Sequence, residues 1–213
     1  MKLSIIIPMY NCCDNVVKTL EKLGHQAIDL CCTEGMQVIV VNDESTEDAS
    51  LVEETCRLLG FDYYWQQNAG GAAACNAGLS HVNGEYFTFI DADDSITDCY
   101  LATTMGELDG RYDLIAHRWI DQNGVVGDWH EPPLINWNVW ANVYRTRLFA
   151  GTKFDEDIIV AWDIDWLRRA VTADKAKEIL RSDNITNIYD SSYPESTTNK
   201  FNRGEIKIRK SDS

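Results

Sequence analysis

Residues 3–90 alternate short apolar runs with longer stretches that are predicted to be helical, at 14–30, 51–59 and 72–81, and apolar residues recur at helical spacing in the first two. Apolar runs without an in–out alternation are typical of parallel strands that are covered on both faces. The four runs of this kind are 3–8, 36–41, 61–65 and 86–90. The alternation predicts an α/β fold: a mostly parallel sheet with right-handed crossovers, flanked by helices.

The regular alternation ends near residue 98, and the second half is predicted to be a smaller, mixed region. The pair Asn123-Gly124 indicates a two-residue hairpin turn, and the polar tail from Ser191 is expected to be loose. The predicted elements are strands at 114–120 and 125–129 and helices at 100–108 and 163–172. We expect one domain over 1–213, with halves 1–98 and 99–190 and a tail, 191–213.

The chain carries 34 acidic and 19 basic residues, a formal net charge of −15. This surplus of negative charge disfavours nucleic acid as a partner, because a protein that binds nucleic acid nonspecifically needs a positively charged surface. The first apolar run reaches Pro8 before it attains the length of a signal peptide, and no apolar run approaches the length of a membrane span. The seven cysteines include no CxxC pair, which favours reduced thiols. We therefore expect a cytoplasmic protein, or one peripheral at the inner face of a membrane.

A polar or glycine-rich loop follows each of the first four predicted strands. Because the carboxyl ends of parallel strands lie at the same edge of a sheet, we expect the four loops to meet in one site. The loops begin with Pro8-Met9-Tyr10-Asn11, Asn42-Asp43-Glu44-Ser45-Thr46, Asn68-Ala69-Gly70-Gly71 and Asp91-Ala92-Asp93-Asp94.

The last of these loops crowds three aspartates into four residues. Like charges repel and raise one another's pKa, and a bound Mg²⁺ or Mn²⁺ removes that cost while bridging to phosphate oxygens. Asp91 and Asp93 are therefore candidate metal ligands, and His117 or His130 could complete the site. The alternative is a solvated turn or a helix start that is rich in aspartate.

Two further loops suit a nucleotide. The Asp43 carboxylate could accept a hydrogen bond from the imide of a pyrimidine base. The small side chains of 68–78 would let a phosphate approach the start of a helix, whose N–H groups favour anions. The alternative interpretation is a helix of small residues packed tightly on the sheet. A phosphate site and tight packing are compatible with each other. The segment lacks the Gly-Lys-[Ser/Thr] element of a P-loop and the GxGxxG of a dinucleotide fold.

The order Ile-Pro-x-Tyr-Asn, Val-Asn-Asp-x-Ser-Thr, Asn-x-Gly-x-x-x-Ala-x-Asn-x-Gly and Asp-x-Asp-Asp resembles the family 2 glycosyltransferases with a GT-A fold over residues 3–94. The resemblance implies a metal-dependent, inverting transfer of a sugar from a nucleotide-sugar, usually a UDP-sugar, to an acceptor hydroxyl. It also implies that Asp43 holds the base and that Asp93 is the direct metal ligand. The implied nucleotide-sugar set is Pro8, Tyr10, Asn11, Asp43, Asn68, Gly70, Asn76, Asp91, Ala92 and Asp93.

The second half resembles the same family more loosely, over 140–145, 154–157 and 161–166. The resemblance places the catalytic base at Asp163, with Asp165 as the alternative because Trp162 replaces the usual glutamate before the base. Cys75 replaces the usual arginine and removes a positive charge that could touch the diphosphate.

Six of the seven tryptophans lie in the second half, and an indole ring is well suited to stacking on a sugar. The candidate acceptor platform is Trp129, Trp137, Trp140 and Trp162, whereas Trp166 falls on a helical stripe and is expected in the core. The expected acceptor is a saccharide or a lipid-linked saccharide in cell-surface polysaccharide or glycoconjugate synthesis. Alternatives are an inactive GT-A-like binding protein, a nucleotidyltransferase, and a glycosyltransferase that acts on a modified nucleic-acid base.

Overall fold

The structure, a computed structural model, describes residues 2–127, 129, 138–194 and 196–210. Up to residue 98 the chain alternates strands and helices, as the sequence predicts. In chain order the elements are β1 (Leu3–Met9), α1 (Cys13–Asp29), β2 (Met36–Asn42), α2 (Ser50–Leu59), β3 (Asp62–Trp65), α3 (Gly71–Ser80), β4 (Tyr86–Phe89) and the short β5 (Ser95–Ile96), with a 3-10 turn at Thr33–Gly35.

The second half contains the predicted hairpin and helices, together with elements that the sequence did not indicate. Among them are a short strand at Asn142–Arg145, a long strand after residue 178 and a short helix within the polar tail. In chain order this half contains α4 (Tyr100–Glu107), β6 (Leu114–Asp121), β7 (Val126–Gly127), a 3-10 turn (Val139–Ala141), β8 (Asn142–Arg145), α5 (Thr146–Phe149), α6 (Trp162–Ala170), β9 (Ile179–Tyr189) and α7 (Thr197–Asn202). In the described part of the chain, no helix combines the length and apolar character needed to cross a membrane.

The nine strands of the described residues belong to one sheet with the order β3-β2-β1-β4-β8-β6-β9-β5, and β7 pairs with β6. The first four are parallel, with Leu3 of β1 opposite Met36 on one side and Tyr86 on the other. The continuation is mixed: β8 is antiparallel to β4 and β6, whereas β9 is parallel to β6. The predicted α/β class is therefore confirmed, with a parallel first part and a mixed second part.

The core consists of two apolar layers, one on each face of the sheet. Side chains of β1 alternate between them: Ile5 and Ile7 pack with α1 and α2, and Ile6 packs with α3 and α6. Trp166 of α6 is completely buried in the second layer, as its helical stripe predicts, and its indole N–H donates to the Thr152 carbonyl at 2.7 Å. Burial on both faces explains why the strands read as continuous apolar runs.

Helix α3 lies unusually close to the sheet. A Cβ atom placed on Gly78 would lie 2.4 Å from Cγ2 of Ile6, well inside van der Waals contact. The small side chains of α3 therefore allow close packing on the sheet, as one of the two interpretations of this segment predicts. The same helix begins at Gly71, at the edge where the loops after the strands lie.

We predict that Gly78→Ala lowers the free energy of unfolding by about 1–3 kcal/mol, because the added methyl must displace Ile6 or the helix. Gly106→Ala is the matched control, since Gly106 is also helical and a Cβ there meets nothing within 4 Å. The control is expected to be neutral or up to about 1 kcal/mol more stable. Urea unfolding of the three proteins measures both effects. Equal stability of Gly78→Ala and the unaltered protein would contradict the close approach.

Candidate active site

A cleft of about 750 Å³ lies at the carboxyl edge of the four parallel strands. The loops after β1, β2, β3 and β4 all contribute to its wall, so the expected convergence of the four loops is observed. The predicted site residues that line the cleft are Pro8, Tyr10, Asp43, Asn68, Gly70, Asp91, Ala92, Asp93, Trp162 and Asp163.

Two predicted nucleotide-sugar residues, Asn11 and Asn76, instead hold the backbone together behind the cleft. The Asn11 side-chain oxygen accepts hydrogen bonds from the backbone N–H groups of Thr46 (2.8 Å) and Glu47 (3.2 Å). Asn76 is buried, donates to the Phe154 carbonyl at 3.1 Å and accepts from the Phe154 N–H at 2.8 Å. Neither residue lines the cleft, and these contacts are with the protein itself, so their role as direct ligands stays a prediction.

Asp43 is buried at the end of β2, and its carboxylate organises the next loop. One oxygen accepts from the Gln66 side chain (2.7 Å) and from the Ala69 N–H (3.0 Å), and the other accepts from the Gly70 N–H (2.8 Å). Gly70 has φ 101°, a conformation that glycine adopts without strain, immediately before α3. Asp43 therefore holds the loop 68–71, called here the glycine loop, in position at the cleft.

The acidic loop after β4 carries charge that the protein itself does not compensate. Burial, and then the neighbouring charges of Asp94, Asp93 and Asp163, hold the pKa of Asp91 well above its ordinary value. Burial and the charge of Asp93 raise the pKa of Asp94 to about 8. One carboxylate oxygen of Asp94 is buried without a hydrogen-bond partner, and the other accepts from the Asp190 N–H at 2.9 Å.

The backbone of this acidic loop is held in place from α1. The Asn15 side-chain amide donates to the carbonyls of Ala92 (2.8 Å) and Asp94 (2.7 Å). This role was not predicted, because Asn15 lies within an ordinary helical stretch of the sequence. In the described ranges, no group of three histidine, cysteine or acidic side chains is arranged to hold a metal ion by itself.

Asp163 lies in the first turn of α6, on the wall of the cleft facing the acidic loop. Burial raises the pKa of Asp163 to about 6, although a hydrogen bond from the backbone of Ile164 acts in the opposite direction. Asp165 does not line the cleft, and its carboxylate forms an ion pair with Arg169 at 2.6 Å. Ala161, just before the helix, has φ 59°, a left-handed conformation uncommon for a residue with a side chain. The geometry therefore favours Asp163 over Asp165 as the group that can act on a ligand in the cleft.

Of the three candidate acceptor tryptophans that the structure describes, one lines the cleft. Trp162 lies over the start of α3, where a Cβ on Gly71 would be 3.3 Å from its ring. Trp140 is 4% exposed and stacks on Tyr189 with ring centroids 5.7 Å apart, so burial leaves it no ring face for a sugar. Trp129 does not line the cleft and donates its indole N–H to the Ala116 carbonyl at 3.2 Å. Trp137 lies outside the described residues.

Of the two histidine candidates, the structure describes His117, which does not line the cleft. His117 is 2% exposed, and its Nε2 lies 2.7 Å from a carboxylate oxygen of Glu107, away from the cleft wall. His130 lies outside the described residues. The expectation that His117 completes a metal site is therefore corrected by its burial against Glu107.

The polar tail, expected to be loose, forms part of the cleft wall. The residues that sequence reasoning missed here are Tyr193, Ser196, Thr197, Thr198, Lys200 and Lys210, together with 158–161 before α6. The Ile159 N–H donates to the Ile208 carbonyl at 2.7 Å, which ties the two segments together. The alternation of Ile206 and Ile208 with charged residues was the only signal of extended structure in the tail.

Comparison with known proteins identifies relatives of one family. The model of glycosyl transferase family 2 matches residues 4–174. Glycosyltransferase GlyA of Streptococcus pneumoniae is 29% identical over 161 residues, which cover 68% of this chain and 22% of that protein. The chain therefore spans less than a quarter of the length of this relative.

Solved structures share the fold. S. aureus TarS 1–349 superposes with a TM-score of 0.77 at 24% identity and covers 92% of this chain and 61% of that chain. The same TarS fragment in complex with UDP-GlcNAc gives a TM-score of 0.76. Mannosyltransferase PcManGT from Pyrobaculum calidifontis, in complex with GDP-Man and Mn²⁺, gives 0.66 at 16% identity over 88% of this chain and 56% of that chain. These similarities confirm the predicted GT-A fold.

We predict that Asp94→Asn stabilises the metal-free protein at high pH. The pKa of Asp94 is raised to about 8, so its contribution to folding is complete below the unfolded pKa of about 4 and is lost as the pH rises through about 8. The amide removes the charge and keeps the acceptor for the Asp190 N–H. Urea unfolding should show the variant more stable than the unaltered protein at pH 9, with a smaller gap at pH 5.

Asp98→Asn is the control for this prediction. The Asp98 side chain is 97% exposed, and Lys22 lowers its pKa through a hydrogen bond and its charge. Removing this carboxylate should not raise the free energy of unfolding at pH 9. If Asp94→Asn and Asp98→Asn behave alike at both pH values, the strain assigned to the acidic loop is wrong.

Proposed function

The chain belongs to glycosyl transferase family 2, and from this premise we propose that it transfers a sugar from a nucleotide-sugar donor to an acceptor hydroxyl with inversion. The observation that carries the proposal is the cleft in which the four strand-end loops face Asp163. One wall offers sites for a nucleotide, and the opposite wall offers a buried carboxylate with a raised pKa. A donor and an acceptor held between the two walls would react as neighbours, which lowers the entropic part of the barrier.

The proposed donor is a UDP-sugar. Pro8 and the 45% exposed ring of Tyr10 flank the side of the cleft assigned to the nucleoside. Asp43 holds Ala69 and Gly70 beside the start of α3, whose backbone N–H groups favour the diphosphate. The TarS complex with UDP-GlcNAc, which shares this fold, supports a uridine nucleotide.

The residues of the acidic loop fit a divalent cation, Mn²⁺ or Mg²⁺. Their donors are hard carboxylate oxygens, their charges repel one another, and one buried oxygen of Asp94 lacks a partner. We propose that Asp93 would hold the cation, with Asp91 beside it. When bound, such a cation neutralises charge on the departing diphosphate. The Mn²⁺ complex of PcManGT supports this assignment.

Asp163 is proposed as the general base. A carboxylate with a pKa of about 6 is ionised at neutral pH and remains basic enough to accept the proton of a hydroxyl as it attacks. A positioned base of this kind contributes roughly 10²–10⁴-fold to the rate. Trp162, adjacent in sequence and on the same wall, offers a ring face for a saccharide or lipid-linked saccharide acceptor.

We predict that Asp163→Asn lowers the rate of transfer, or of donor hydrolysis, by roughly 10²-fold or more while donor affinity is retained. Asp165→Asn is the matched control, because its carboxylate is paired with Arg169 outside the cleft. Its turnover should remain within a few-fold of the unaltered protein. Steady-state kinetics combined with calorimetric donor titration separates the two effects. Full activity of Asp163→Asn would remove Asp163 from the mechanism.

The pH dependence of turnover follows from the same carboxylate. Because the pKa of Asp163 is about 6, turnover should fall as the pH decreases through about 6, where the base gains a proton. The measurement is kcat/KM between pH 5 and pH 8 at a fixed concentration of Mn²⁺. A profile that is flat across this range would argue for another base.

Donor identity can be tested with a thermal-shift screen of nucleotide-sugars in the presence and absence of Mn²⁺. A ligand present at 100 times its Kd stabilises the native state by about 2.7 kcal/mol, so the true donor should raise Tm clearly. Asp93→Ala is expected to abolish the shift that depends on Mn²⁺, whereas Asp98→Ala, at an exposed site, should keep it. If no nucleotide-sugar shifts the unaltered protein, the proposed function fails.

A further inference from the structure

The strand β9 ends at the cleft, next to the acidic loop. Its last residues pair with β5, the strand that directly follows that loop, and Ile188 lies opposite Ser95. Just after β9 the Asp190 N–H donates to the Asp94 carboxylate at 2.9 Å. Tyr189, the last residue of β9, lines the cleft. These contacts hold Tyr189 beside the acidic loop, on an element outside the four strand-end loops and α6.

The Tyr189 ring is the outer member of a cluster of three aromatic rings. It stacks on Trp140 with ring centroids 5.7 Å apart, and it meets Trp119 edge-to-face with centroids 5.4 Å apart. Trp119 and Trp140 contact each other at 5.9 Å. Because Trp140 is buried and neither tryptophan lines the cleft, Tyr189 is the ring that this cluster presents to the cleft. The aromatic surface expected at Trp140 is thus offered by its neighbour.

Within the described residues, the hydroxyl group of Tyr189 has no hydrogen-bond partner. The hydroxyls of the buried Tyr86 and Tyr144, in contrast, donate to backbone carbonyls at 2.9 Å and 3.0 Å. Burial, and then the charges of Asp94 and Asp93, raise the pKa of Tyr189. The phenol is therefore protonated at neutral pH and has an O–H donor available at the cleft.

Two further donors without partners lie close to Tyr189. Trp119 pairs with Asn187 in the ladder between β6 and β9, and Asn187 precedes Tyr189 by two residues, on the same face of the strand. The indole N–H of Trp119 and the side-chain nitrogen of Asn187 are buried without a partner in the described part of the chain. Buried polar groups normally have a partner in the protein or in ordered water. A cluster of rings that served packing alone would need none of these three polar groups.

We propose that Tyr189 binds a sugar in the cleft, with its hydroxyl donating to a sugar hydroxyl and its ring adding apolar contact. The inference rests on the proposed function and adds a residue from the mixed part of the sheet that takes part in selecting the sugar. The sugar can belong to the donor or to a saccharide acceptor, because both offer the same hydroxyl groups to a phenol. The experiment distinguishes these two sources.

The test is calorimetric titration of the full chain with UDP, UDP-GlcNAc, UDP-glucose and UDP-galactose at one fixed concentration of Mn²⁺. Saturation-transfer NMR with the methyl glycosides of the same three sugars, in the presence of UDP, measures binding on the acceptor side. The variants are Tyr189→Phe, which removes only the hydroxyl, and Tyr189→Ala, which also removes the ring.

Tyr64→Phe and Tyr64→Ala are the matched controls. Tyr64 is also partly buried and stacks on His81 with ring centroids 3.8 Å apart, but it does not line the cleft. Circular dichroism and unfolding in urea establish that each variant is folded. Tyr189→Phe keeps the ring that packs on Trp140, so it remains informative if Tyr189→Ala is unstable.

Tyr189→Phe is expected to weaken sugar binding about twofold to tenfold, the range for one neutral hydrogen bond. If the sugar is that of the donor, the affinity for the UDP-sugar falls while the affinity for UDP stays unchanged. If the sugar is that of the acceptor, the nucleotide affinities stay unchanged and the NMR signal of the methyl glycoside falls. Tyr189→Ala should lose more in the same measurement, and the Tyr64 variants should match the unaltered protein.

Three results would overturn the inference while leaving the proposed function standing. They are unchanged binding of every sugar ligand by Tyr189→Phe, an equal loss for UDP and the UDP-sugars, and an equal loss in the Tyr64 variants. Failure of the unaltered protein to bind UDP and all of the sugar ligands would overturn the uridine-nucleotide donor and this inference together. The experiment therefore separates the two failures.

Discussion

The parallel pairing of β1 with both β2 and β4 is the constraint on which the rest of the structure depends. Strands that run in one direction end at one edge, so four loops that are distant in sequence share a single wall. The burial of β1 on both faces places it inside the parallel part of the sheet, with Ile5 and Ile7 in one apolar layer and Ile6 in the other. The position of the cleft is thus decided by the core rather than by the polar residues that line it.

The acidic residues of the cleft wall lower the stability of the native protein when no ligand is bound. Buried carboxylates without counter-charges reduce the stability of the native state, and here they gather at Asp91, Asp93 and Asp94. The protein holds these loops in place by hydrogen bonds and not by opposite charges: Asn15 binds the backbone of the acidic loop, and Asp43 binds the backbone of the glycine loop. Such strain persists in a native structure when the surrounding packing over-determines it, and it is concentrated at functional sites.

The parallel half of the fold and most of the cleft could be predicted from the sequence. Strands that are buried on both faces have continuous apolar sequences, and the topology of a parallel sheet places the loops at one edge whatever their conformations. Less of the second half could be predicted. The strand β9 is interrupted by polar residues such as Ser182 and Asp183, so its pattern lacks a clear period. Motif reasoning also cannot separate a residue that touches a ligand from one that braces the backbone, as Asn11 and Asn76 illustrate. The tail was misread because its order comes from backbone contacts with 157–159 and not from an apolar stripe.

Gly71 and Trp162 lie next to each other at the cleft, where a Cβ atom on Gly71 would be 3.3 Å from the indole ring. Gly71 begins α3 on the nucleotide side, and Trp162 immediately precedes Asp163 on the opposite side, so a side chain at position 71 would press against the ring. The two halves of this protein are consequently not interchangeable modules. A graft that imports an acceptor wall from a relative would have to bring its own partner for position 71, or the transplanted carboxylate would be misaligned before any substrate arrived.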